Sequence, residues 1–256
     1  MIRLLFILLF SSSIFSQTIK QTFKIPEGYE RKTIDVYHDW IITRSIKLNV
    51  KAKTYDGYEV YGLNKKYVAI FNYDIGTRDL HQCADAVIYN NARHKFDYNK
   101  FKEIKYTFTD GQTYGYEDFL KGIYVIQKGN SVTWGIRKKI KASLSSFKKY
   151  ITVIWAYAGT WSLEAFDTVS VDIKNIKPGD VFVVGGFPGH AVSVVDVVVN
   201  KNGDKKFMLS QSYMPAQEQH ILINPINDSV WFEYTGNTIK TPDMWFRINS
   251  LKRFKK

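Results

Sequence analysis

The chain of 256 residues contains a single cysteine, Cys83. No disulfide can form within it, which excludes the small cross-linked scaffolds common among secreted proteins. No segment reaches the roughly 20 apolar residues that a membrane-spanning helix needs. The five histidines never fall in a short-spaced pair, and with one isolated cysteine a zinc site of the usual kind is not expected. Phosphate-cradling glycine loops and dinucleotide fingerprints are also missing, so no cofactor is expected. Acidic side chains are outnumbered, 24 against 36 basic ones, which leaves a formal charge of +12. Internal repeats, low-complexity tracts and an interdomain linker are absent as well.

What is present is a large apolar fraction, 45%, with 16% aromatic residues. That is enough for a sizeable core and too much for a disordered chain. Met1 to Gln17 has one positive charge at Arg3, an apolar run from Leu4 to Phe10 and then small polar residues. This pattern reads as a secretory signal peptide spanning residues 1–16, cut near Ser16. No cysteine follows the apolar run, which disfavours a lipoprotein. Residues 17–256 are then expected to be one exported domain, periplasmic or extracellular. Losing Arg3 lowers the charge from +12 to +11, spread over the chain. A distributed positive field favours an anionic envelope polymer or peptidoglycan over nucleic acid as a partner, although such charge also simply aids solubility.

Tyr67-Val-Ala-Ile-Phe71 is rich in β-formers and predicts a strand. Leu80, Cys83, Ala84, Val87 and Ile88 share one face of a helix, with Asp79 and Gln82 spaced as a capping box. Tyr106 to Thr109 reads as a β segment, Tyr114 to Leu120 as the start of a helical one, and Lys141 to Glu164 as a long amphipathic helix with Gly159 as a break or close contact. Val181 to Val184, His190 to Val199 and Phe207 to Gln211 predict three strands of an antiparallel meander, joined by glycine-rich turns.

An unpaired cysteine in an exported protein is an inert buried thiol, an intermolecular partner or a nucleophile. Placement in the first turn of a helix favours the third, since unpaired N–H groups there stabilise a thiolate. A nucleophile needs a base, and the base needs an orienting partner. His81 points about 200° away from Cys83 on the helix, His94 reads as solvated, and His38 and His220 lack a local pattern. His190 opens an apolar strand directly after Gly185-Gly-Phe-Pro-Gly189. Gln211, on the next strand, can accept from its ring. Asp196 competes for that role, but it lies on the same strand roughly 20 Å away. Asp85 reads as a solvated or helix-capping carboxylate. The scattered tryptophans read as core.

Pro178 to Val184 followed by Gly189-His-Ala-Val-Ser-Val-Val195 resembles the histidine strand pair of NlpC-type and CHAP cell-wall hydrolases, and Gln82-Cys83-Ala-Asp-Ala86 resembles their cysteine helix. This resemblance implies a papain-like α+β fold, with the cysteine helix packed on an antiparallel sheet and an inserted helical segment filling the 107-residue interval between Cys83 and His190. It also implies a Cys83–His190–Gln211 constellation and hydrolysis of an amide or peptide bond in peptidoglycan. Tyr73 and Gln82, with the backbone N–H of Cys83, are the candidate oxyanion donors. The whole chain is further similar to an uncharacterised family of exported bacterial proteins through Asp79–Ala86, Tyr157–Thr160, Pro188–Ala191 and Gln211–Gln217. A catalytically silent envelope-binding module and an acyl or amide transferase are the alternatives.

Overall fold

A computed structural model of the protein describes residues 17–60, 66–234 and 236–255, so the expected export leader over residues 1–16 lies outside the described residues. In chain order the strands are β1 (Gln17–Thr18), β2 (Tyr29–Glu30), β3 (Ser45–Leu48), β4 (Tyr67–Phe71), β5 (Lys105–Thr107), β6 (Thr113–Gly115), β7 (Ile123–Lys128), β8 (Ser131–Ile136), β9 (Thr168–Ser170), β10 (Val181–Val184), β11 (His190–Asn200), β12 (Lys205–Gln211), β13 (His220–Leu222), β14 (Thr238–Lys240), β15 (Trp245–Arg247) and β16 (Leu251–Phe254). The helices are α1 (Ile19–Thr22), α2 (Val36–Ile42), α3 (Cys83–Asp97), α4 (Tyr116–Leu120) and α5 (Leu144–Tyr157), with one further short turn at Thr160–Ser162.

Ten strands form one antiparallel sheet in the order β1-β3-β4-β13-β12-β11-β10-β16-β9, with β2 pairing onto the far end of β11. The Val-rich β11 is buried along both faces for most of its length, as a strand without polar alternation must be. On one side Val192, Val194 and Val197 pack with Phe182, Phe207 and Leu209. On the other, Ala191 meets a layer that includes Val87 and Ile88 of α3 and Phe147 and Ile151 of α5. Farther along, Val195 and Val198 meet Trp40 and Ile41 of α2.

The strand slips register between Val194 and Asp196. Such a bulge re-aims side chains. Asp196 pairs with Met208, which belongs to the α2 layer, and so faces that layer. There, fully buried, it accepts Arg31 Nε and Nη2 at 2.9 and 2.7 Å and His38 Nε2 at 2.8 Å. Asp196 is therefore an anchor for the chain's first segment, and has no part in orienting His190.

The papain-like expectation is not met. The histidine strand pair is the centre of a much wider sheet, extended by β13, β4, β3 and β1 on one side and by β16 and β9 on the other; the molecule is mostly antiparallel sheet and 27% helical, though still mixed α and β. A Gly-His strand motif reports one hairpin, and sheet width depends on long-range pairings that no local pattern records. The interval between Cys83 and His190 is likewise not a helical insertion: it carries the β5–β6 and β7–β8 hairpins alongside α4 and α5. The helix foreseen over residues 141–164 stops at Tyr157, ahead of Gly159.

Removing Asp196 leaves the Arg31 guanidinium without its carboxylate in a site where the Arg31 side chain is only 9% exposed. Asp196→Ala is expected to cost about 3–5 kcal/mol. Chemical denaturation, with Asp196→Asn as the milder comparison, checks this; a loss under about 1 kcal/mol contradicts the anchoring role.

Candidate active site

Cys83 is the first residue of α3, and Gln82 is its N-cap. The N–H groups of a first helical turn have no partner within the helix. Asp85, three residues after the cap, reaches back with Oδ2 to the Gln82 N–H at 3.0 Å, so the capping alternative foreseen for Asp85 is the one observed, and it is buried rather than solvated. Asp79 does not cap. Its Oδ1 accepts Gln82 Nε2 at 3.1 Å and the Ala216 N–H at 2.7 Å, tying the approach to α3 onto the segment after β12. The Ser212 hydroxyl lies 2.7 Å from the carbonyl oxygens of both His81 and Gln217 and strengthens the same junction.

The turn between β10 and β11 meets the segment after α5. A Cβ on Gly189 would lie 2.4 Å from the Gly186 carbonyl oxygen and 2.5 Å from Thr160 Oγ1, so only glycine fits before His190. The four segments set apart in the sequence, around Asp79, Tyr157, Pro188 and Gln211, thus converge. Cys83 and His190 line one cavity of about 540 Å³, together with Gln82, Asp85, Trp155 and Tyr213. Its rim carries Phe187, 95% exposed, and Met214, 55% exposed.

The His190 ring packs between Tyr213 and Phe246, with centroids at 5.3 and 5.9 Å. Its Nε2 lies 2.8 Å from Gln211 Oε1. An amide oxygen only accepts, so Nε2 carries the proton and Nδ1 keeps its lone pair. Asp243, in the turn between β14 and β15, fixes which end of the amide faces the histidine, because its Oδ2 accepts Gln211 Nε2 at 2.7 Å. Lys66 Nζ holds the other carboxylate oxygen at 2.8 Å. Asp243 and Lys66 complete the candidate site and carry no signal in the sequence. Asp243 lies 32 residues beyond Gln211 in a turn whose Thr-Pro-Asp-Met character speaks only of a turn.

Burial pushes the Cys83 thiol above its ordinary range, against the opposing pull of the Ala191 backbone N–H, the residue next to His190. Burial also holds the His190 imidazolium in check, lowering its pKa below 6.5 despite the Gln211 acceptor and the Asp243 charge. At rest the cavity therefore holds a neutral thiol and a neutral imidazole, and the thiolate expected from the helix start alone is not the resting form. Burial pushes the Asp85 carboxyl well above the usual carboxylate range, against the Gln82 N–H it accepts, and its Oδ1 has no hydrogen-bond partner among the described residues.

Of the candidate oxyanion donors, Gln82 lines the cavity, its side-chain amide already engaged with Asp79. Tyr73 does not line it: its ring stacks on Phe71 and meets Tyr89 edge-on within the core. The N–H of Cys83 remains, as a first-turn group. His94 is buried beside Tyr37 and Trp40 rather than solvated, and His81 packs against Trp155 and Tyr89 with Nδ1 at 3.3 Å from the Gln217 carbonyl. His220 is buried close enough to His190 to feel its charge. Trp155 and Trp231 are core residues as expected, whereas Trp134, Trp161 and Trp245 are exposed. Among the described residues no group of three or more His, Cys, Asp or Glu side chains is arranged to hold a metal ion, and no helix is long and apolar enough to cross a membrane.

An apolar, glycine-capped cavity with an oriented histidine and a lone cysteine defines a candidate nucleophilic site of a mixed α/β protein. The sequence matches the family model of DUF4846, a domain of unknown function, over residues 19–253, and the chain belongs to that family. No curated protein and no solved structure matches it.

The neutral resting pair predicts a two-limbed pH profile for alkylation of Cys83 by iodoacetamide. One limb rises below pH 6.5 as His190 becomes neutral and able to take the thiol proton; a second rises above pH 9 as the thiol ionises unaided. His190→Ala should remove the first and keep the second. A rate that is flat down to pH 4 contradicts the neutral pair.

Proposed function

We propose that the protein is an exported cysteine hydrolase that cleaves an amide or peptide bond, with Cys83 as nucleophile, His190 as base and Gln211 as orienter. The observation that carries this reading is the 2.8 Å contact between His190 Nε2 and Gln211 Oε1 in a ring that shares its cavity with Cys83. It leaves Nδ1 as the only ring nitrogen able to accept a proton. As the sulfur attacks a bound carbonyl carbon, Nδ1 takes the thiol proton and the carbonyl oxygen becomes an oxyanion beside the helix start. Collapse breaks the C–N bond, and the proton passes from Nδ1 to the departing amine. Water then attacks the thioester, giving its proton to Nδ1; the S–C bond breaks, the acid product leaves and the thiol is restored.

The resemblance to NlpC-type and CHAP hydrolases is confined to the cysteine segment, the histidine strand pair and their order in the chain, and does not extend to the fold. It supports peptidoglycan peptide as the substrate class. The basic charge of the chain, +12, is compatible with an anionic envelope setting, and the pattern of residues 1–16 supports export.

Incubation with purified peptidoglycan and its muropeptides should release new amino and carboxyl termini, detected by mass spectrometry. Cys83→Ala should lower the rate by about 10³-fold or more, and Gln211→Ala by about 10²-fold with its acid limb displaced. Amide cleavage that persists undiminished in Cys83→Ala overturns the assignment.

A further inference from the structure

A second cavity, about 650 Å³, adjoins the catalytic one and shares Tyr213, Met214 and Asp243 with it. Its outer wall is the tight turn Thr54–Tyr58, closed by the Gly57 N–H on the Thr54 carbonyl (2.9 Å) and pinned to the far side by the Tyr55 N–H on the Ala216 carbonyl (2.8 Å). The turn is thus held against the segment that follows Gln211.

Among the described residues, two acceptors of this cavity have no cationic partner, Gln217 Oε1 and the Asp56 carboxylate. Gln217 is 2% exposed and lines the cavity; its Nε2 donates to the Pro215 carbonyl at 3.2 Å, which leaves Oε1 as an acceptor without a donor. An unpaired buried acceptor is costly unless a ligand or water meets it. Asp56 is exposed and accepts only from the Thr54 hydroxyl among the described residues. The other two lining carboxylates are matched, Glu59 by Lys51 at 2.7 Å and Asp243 by Lys66 at 2.8 Å. Tyr55, Tyr58 and Tyr213 add aromatic surface, with Tyr58 71% exposed. A carboxylate with no cationic partner among the described residues, an orphan carbonyl and ring faces together favour a hydrogen-bond-donating cation. This acceptor-rich pocket stands out in a chain whose overall charge is +12.

We propose that this cavity is a substrate subsite for a primary ammonium group, carried by an amino-acid residue a short distance from the bond that Cys83 attacks. The inference rests on the hydrolase reading, and names what the substrate must carry. The ammonium sits between the Asp56 carboxylate and the tyrosine faces, donating one hydrogen bond to Gln217 Oε1.

Peptidyl acyloxymethyl ketones test it. Cys83 sulfur displaces the carboxylate from the methylene carbon, forming S–C and breaking C–O, with the thiol proton passing to His190. Three otherwise identical series carry Lys, acetyl-Lys or Glu at one, two or three residues from the ketone, and labelling rates are read by intact mass. At one of these positions Lys should exceed acetyl-Lys by about tenfold. Asp56→Asn should cut that preference to about twofold while leaving acetyl-Lys labelling unchanged. Equal labelling by Lys and acetyl-Lys at all three positions overturns the subsite and leaves the nucleophile intact. If no ketone labels Cys83 and iodoacetamide reacts no faster than with the unfolded chain, the hydrolase reading fails and the subsite with it.

Discussion

The hydrogen bond from His190 Nε2–H to Gln211 Oε1 is the interaction on which the site depends. It decides the tautomer, and the tautomer decides which nitrogen is free to act. The bond is built by the sheet. β11 presents His190 at its first position, β12 presents Gln211 at its last, and the two are antiparallel neighbours. A further partner, Asp243, holds the amide the right way round and is itself balanced by Lys66. His190 and Gln211 are polar groups removed from water and matched by specific neighbours, while Lys66, the last link, stays partly exposed.

Burial also sets the electrostatics of the site. It raises the thiol, lowers the imidazole and raises the Asp85 carboxyl. His81, His94 and His220 are held to about 4 by the same cause and stay neutral at pH 7. The helix start offers its unpaired N–H groups to an oxyanion, and the Asp243 carboxylate that borders the same cavity is balanced by Lys66. Past the bulge in β11, Asp196 is charge-paired with Arg31. One strand thus carries His190 at its start and, past the bulge, the carboxylate that anchors Arg31 and His38.

Much of the local structure was legible in the sequence. The Val-rich runs, the glycine turns and the apolar spacing after Asp79 gave the β10–β11–β12 meander and α3 because burial imposes those periods directly. The contact of His190 with Gln211 and their nearness to Cys83 were readable from polar residues standing at the ends of apolar elements. What was not legible depended on distance in the chain. The width of the sheet rests on pairings such as β13 with β4, about 150 residues apart. Asp196 looked like a competitor for His190 until the bulge and the Arg31 contact 165 residues away defined its role. Asp243 gave no signal because a turn aspartate is common, and only the fold carries it to Gln211.

The most direct test of this account is the protonation of the His190 ring, read by long-range ¹H–¹⁵N NMR at pH 7 on protein labelled at histidine and assigned with His190→Ala. The account predicts a neutral ring with its proton on Nε2 and an unprotonated Nδ1. A proton on Nδ1 in a neutral ring, or a fully protonated imidazolium at that pH, contradicts it.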